Sequence, residues 1–151
     1  MKKYLLQKSA WRVAVLMLVV LMSVSCVNSS LAIGQCGSRL AYGDTVYESV
    51  PARGYACSYT FIGKAKDVVD IKMIKRAASL NPYLELYDPY GKKVVSNDNI
   101  SAVNNNSEIK YQLYSNGTYK IVAQGGATRT SSGAFMLSLT LTNTKGTPIA
   151  P

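Results

Sequence analysis

Beyond Cys36, apolar and polar side chains alternate one for one, and the alternation stops wherever Gly, Pro, Asn or Ser gather. Phe135, Leu137, Leu139 and Leu141 alternate with Met136, Ser138, Thr140 and Thr142. The same period of two marks Cys57, Tyr59 and Phe61; Val69, Ile71 and Met73; Leu84 and Leu86; Ile109, Tyr111 and Leu113; and Tyr119, Ile121 and Ala123. A period of two puts every second side chain on one face, so each run predicts a half-buried strand. Weaker strands are predicted at Thr45–Val50 and Lys92–Ser96. Asp88-Pro89-Tyr90-Gly91 has the residues of a type I turn, and Asn116-Gly117 those of a tight hairpin turn. Seven or eight short strands with turns between them read as an antiparallel sandwich or a small barrel.

The first residues follow a different rule. Lys2, Lys3, Lys8 and Arg12 precede the apolar run Val13–Val24, and small residues follow it, as in an export signal. As a helix, that run spans about 18 Å, short of the roughly 30 Å of a bilayer core. Two processing sites compete. Ser30-Leu31-Ala32 fits cleavage after residue 32, giving a signal peptide over 1–32, a domain over 33–142 and a flexible tail over 143–151. The segment before Cys26 resembles a lipoprotein box, giving a signal over 1–25 with Cys26 lipidated. Soluble export is the preferred reading.

Export bears on the cysteines. Cys36 and Cys57 remain in the body of the domain, and a pair in an oxidising compartment reads as a disulfide. With no histidine, two cysteines alone do not make a closed zinc site.

The formal charge of +9 overstates the basicity of the domain. Four of the 17 cations stand in the leader, leaving 13 against 8 anions, or +5. That balance aids solubility and names no partner. No nucleic-acid motif is present. Without histidine, Ser-His-Asp and Cys-His catalysis are excluded, and the eight acids form no recognisable pair.

Several segments are similar to the bacterial pre-peptidase C-terminal (PPC) domain family. Leu84-Glu85-Leu86-Tyr87-Asp88-Pro89-Tyr90-Gly91, with Ser96-Asn97-Asp98 after it, resembles the family's LxLYDPxG…NDD core. Tyr59-Thr60-Phe61 with Asp67–Ile71, Asn116–Ile121 and Gly133–Leu139 resemble its other stretches in the same order. The resemblance implies a jelly-roll-like β-sandwich of about eight strands. It also implies an exported accessory module that binds a protein or a polysaccharide, in some members with calcium. Asn97-Asp98-Asn99 carries one acid where many members have two or three.

Two candidate sites follow. Asp88, Asn97, Asp98 and Asn99 offer oxygen ligands to calcium, against the plainer and preferred reading that Asx residues build turns. Tyr83, Tyr87, Tyr90 and Tyr114 are candidates for an aromatic binding surface, against the reading that tyrosine simply suits strands. The expected function is a non-catalytic binding or accessory module, secreted or in the periplasm and cell envelope. No cofactor beyond that calcium and no nucleic acid are expected. The alternative is a lipid-anchored structural envelope protein, which would meet the membrane through Cys26.

Overall fold

The alternating segments form strands, and in the computed structural model, which describes residues 36–143 and 146–149, they are β1 (Thr45–Val50), β2 (Ala56–Gly63), β3 (Val68–Lys75), β4 (Pro82–Tyr87), β5 (Lys93–Asn97), β6 (Ser107–Gln112), β7 (Gly117–Gly125) and β8 (Gly133–Thr142). The export signal, both processing sites and Cys26 lie outside the described residues. Two four-stranded sheets face each other, one in the order β1-β8-β3-β6 and the other β2-β7-β4-β5. All strand pairs are antiparallel. The fold is an all-β sandwich. Only the β4–β5 connection stays within a sheet; every other one carries the chain across.

Period-two patterning explains the core. Cys57, Tyr59, Phe61, Leu84, Leu86, Tyr119, Ile121 and Ala123 point inward from the β7 sheet, and Val69, Ile71, Met73, Ile109, Phe135, Leu137 and Leu139 from the β8 sheet. Phe61 stacks on Tyr119 at 5.5 Å and meets Tyr42 at 5.9 Å. The buried Tyr119 hydroxyl donates to the Ser115 carbonyl (3.0 Å), which satisfies it and pins the β6–β7 crossing. Along β4 and β5 the register shifts between Leu86 and Tyr87, so Val94 is an extra residue opposite β4. That bulge lets both Val94 and Val95 pack against the core, which strict alternation would forbid.

One feature departs from the sequence-based expectations. Asn116-Gly117 does not make a tight hairpin, because β6 and β7 belong to different sheets. Instead Asn116 Oδ1 accepts the Ala65 N–H (2.8 Å), tying two crossings together. Gly117 has φ +142°, and a Cβ there would come within 2.9 Å of Pro89, so the turn needs glycine for room as well as torsion. After β8 the described part of the chain makes a few local backbone bonds. Asn143 accepts the Gly146 N–H, and the Ile149 N–H donates to Leu141. Its turn residues let its backbone groups pair with β8 and with themselves.

The segment before β1 also has a defined place. Cys36–Leu40 runs along the free edge of β2: Ser58 donates to Cys36 (3.3 Å), Thr60 to Ser38 (3.0 Å), and Leu40 to Thr60 (2.8 Å). The Cys36–Cys57 disulfide forms as expected, with Cα atoms 4.7 Å apart. A covered edge is no longer a template for pairing with other chains.

Candidate functional site

The crossings gather at the two ends of the sandwich. One end holds the turns at 64–67, 88–92 and 113–116; the other holds the loops at 51–55, 76–81, 98–106 and 126–132. At the first end Asp88 builds its own turn. Its Oδ1 accepts the Tyr90 and Lys92 N–H groups (3.0 and 2.9 Å), and Gly91 N–H closes the turn on the Asp88 carbonyl. Pro89 lies against Gly117, so this turn and the 113–116 crossing support each other. From these two rigid turns Tyr90 stands 83% exposed and Tyr114 74% exposed. Tyr111 meets Tyr114 edge-on at 5.8 Å and widens the aromatic surface. Burial first, then the neighbouring tyrosines and Asp88, push the Tyr111 hydroxyl pKa up. Lys64, Lys66 and Lys92 are exposed on the same turns.

The four tyrosines singled out from sequence therefore divide. Tyr83 and Tyr87 lie half-buried on the outer face of β4, Tyr83 toward the far end and Tyr87 where the strand enters the 88–92 turn. Tyr87 is already engaged: its hydroxyl donates to Glu85 (2.7 Å), and Lys120 sits 4.4 Å above its ring. Lys93 also pairs with Glu85 at 3.0 Å. Burial alone would raise the Glu85 carboxyl, but the Tyr87 and Lys93 hydrogen bonds outweigh it and hold the pKa below its ordinary value.

The candidate calcium residues divide as well. Asp88 sits at one end of the β4–β5 hairpin, whereas Asn97 pairs with Leu84 near the other. Asp88 stands four residue steps along the strand from Leu84, about 13 Å. Asn97 Oδ1 accepts the Glu108 N–H (3.1 Å) and the Ser107 hydroxyl, and Asp98 accepts Asn81 Nδ2 (3.1 Å). Asn99 is exposed beside them. Each of the bonded groups serves a turn or a crossing, and the four do not converge on one point.

Sequence reading missed three residues. The alternating pattern gives Tyr111 only as a core position. Glu48 occupies an inward position of β1 between Val46 and Val50, beside the disulfide, and accepts the Gly37 N–H (3.3 Å). An acid at a core-facing place in an alternating run was the available signal. Asp70, third, stands on the outer face of β3 yet is only 7% exposed. Its Oδ2 pairs with Lys72 at 3.2 Å, while Oδ1 is buried without a partner. Lys72 goes on to Glu108 (3.1 Å), which also meets Lys110 (3.3 Å).

Burial raises the Asp70 pKa despite Lys72. A raised carboxylate pKa favours the fold only below the unfolded value, and that contribution is lost as pH climbs through the folded value. Asp70→Asn is accordingly expected to raise Tm by a few degrees at neutral pH, because Lys72 keeps Glu108. The gain should vanish below about pH 4, where the aspartate is already protonated. Thermal melts of both proteins across that range check it.

No family model and no curated protein matches the chain. Solved structures do. The pre-peptidase C-terminal domain of a Bacillus anthracis collagenase superposes with a TM-score of 0.55 and 17% identity, covering 70% of this chain and 95% of that one. The Aeromonas hydrophila PliG, a periplasmic lysozyme inhibitor of g-type lysozyme, gives 0.54 and 16%, covering 71% and 96%. A mutant of the Escherichia coli PliG gives 0.51 and 13%, covering 72% and 99%. These likenesses establish a β-sandwich of the kind shared by PPC domains and PliG inhibitors. At such identities they describe the fold and leave activity to the site.

Proposed function

We propose that this chain is a non-catalytic exported module that binds a protein partner through the turn end bearing Tyr90 and Tyr114. The observation that carries the reading is two strongly exposed tyrosines on neighbouring turns whose backbones are locked by Asp88, Pro89 and Asn116. Tyrosine presents a large amphipathic surface with few torsions to freeze, which is why it is enriched at the centres of protein interfaces. Lys64, Lys66 and Lys92 give the rim a positive cast suited to an acidic rim opposite. A protein target and an extracellular or periplasmic setting are in keeping with the PliG inhibitors, whose fold this chain shares.

The absence of a catalytic role has its own support. Each of the eight acids is held by a structural partner: Asp44 by Ala41, Glu48 by Gly37, Asp67 by Tyr42 and Lys64, and Asp70 and Glu108 by Lys72. Glu85 is held by Tyr87 and Lys93, Asp88 by its own turn, and Asp98 by Asn81. None is left as a poised acid or base.

The test is calorimetric or surface-based binding to a panel of envelope proteins that includes a g-type lysozyme, with isolated cell-wall polysaccharide in parallel. Tyr90→Ala and Tyr114→Ala should each weaken protein binding at least about tenfold, with thermal stability unchanged. Wild-type affinity in both variants, or binding to polysaccharide alone, would show that the reading is wrong.

A further inference from the structure

The disulfide has a neighbour that its own chemistry does not require. Glu48 carries a charge on an inward-facing strand position, and its carboxylate lies with the Cys36 and Cys57 sulfurs so that all three ligand atoms are within 4.8 Å of one another. A neutral disulfide gains nothing from an adjacent carboxylate, while enclosing that charge has a desolvation cost. The second anomaly sits beside it. Tyr59 is the next inward residue of β2 after Cys57, fully buried, and its hydroxyl has no hydrogen-bond partner.

We propose that reduction of the Cys36–Cys57 disulfide converts this corner into a binding site for a thiophilic divalent cation such as zinc, with both thiolates and Glu48 as ligands. The balance is simple. A dithiol reductant gives two electrons and two protons to the S–S bond and becomes a disulfide itself. The two new thiols then lose two protons as the cation binds. The oxidised chain offers no thiolate, so binding is confined to the reduced state.

The site persists because its parts are placed by contacts other than the S–S bond. The Ser58 N–H holds Cys36 against β2, the Thr60 N–H holds Ser38, and Glu48 accepts the Gly37 N–H. Gly37 has φ +110°, and any Cβ there would overlap the Ser58 carbonyl, so the segment is built for close approach. A tetrahedral ion with bonds of about 2.3 Å to sulfur and 2.0 Å to oxygen separates its ligands by roughly 3.3–3.8 Å. Once the S–S bond is broken, the two sulfurs move apart by about 2 Å to reach that spacing, and the Glu48 carboxylate, already within 4.8 Å of both, approaches by about 1 Å. Three protein ligands leave a fourth position for water.

The test uses the full chain with Cys26→Ser, so that only Cys36 and Cys57 can be thiols. After reduction by a phosphine without oxygen, cadmium is titrated and the thiolate-to-metal charge-transfer absorption is followed. The expected result is a band saturating at one cation per chain, absent from the oxidised chain and from Cys57→Ser. Glu48→Gln should keep the band but weaken binding at least tenfold, and Glu48→Asp should fall between. Equal affinity in wild type and Glu48→Gln would remove Glu48 from the site. Failure to saturate at one cation, or loss of the cooperative melt on reduction alone, would overturn the proposal outright.

Discussion

Phe61→Ala should lower the unfolding free energy by about 3–5 kcal/mol, and Tm by roughly 15–30 °C. The side chain is 1% exposed and lies between the rings of Tyr119 and Tyr42 on the inner face of the β7 sheet. Its removal loses the transfer energy of a large ring, leaves a cavity, and cancels two aromatic contacts worth about 0.5–1.5 kcal/mol each. A domain of this size has only about 5–15 kcal/mol to lose. The informative control is the next residue. Ile62 points outward and is 49% exposed, so Ile62→Ala should change stability by no more than about 0.5 kcal/mol. Urea denaturation of both variants checks the register of β2, since a slip by one residue would exchange the two outcomes.

The second large effect concerns the bridge. Replacing both Cys36 and Cys57 by serine should cost about 3 kcal/mol, the chain-entropy expectation for a closed loop of this size, here spanning 21 residues. The consequence is also local. Ser58 and Thr60 donate their N–H groups to Cys36 and Ser38, so untying Cys36 lets the covering segment open more often. Hydrogen exchange should accelerate at those two amides before it does along β7. Uniform acceleration instead would mean that the segment contributes nothing of its own.

How far the sequence could be read follows from what a period of two encodes. It names the faces, and Phe135 to Leu141 and Cys57 to Phe61 point inward as the pattern demands. It does not name the neighbour of each strand. Nothing local tells β6 to join β3 while β7 joins β2 and β4, so Asn116-Gly117 looked like a hairpin when it is a crossing. The same blindness affected the candidate sites. Asp88 and Asn97 are close in sequence but occupy opposite ends of a hairpin, while Tyr90 and Tyr114 are distant in sequence and occupy adjoining turns. PPC-like motifs such as Leu84–Gly91 were a better guide to architecture, because they carry the turn chemistry of the whole sandwich. Glu48 was visible as an acid in an apolar register, but its meaning depends on Cys36, a residue that no strand pattern places.

The position of β8 bears on how the chain reaches its native state. It lies between β1 and β3, so it joins the earliest strand to the rest of its sheet. Until residue 142 is free, β1 has no partner in that layer, and the sandwich stays half-assembled. A chain threaded through an export channel from its N-terminus would thus remain pliable until its last strand emerges, and only then close, on the slow timescale that long-range β pairing imposes.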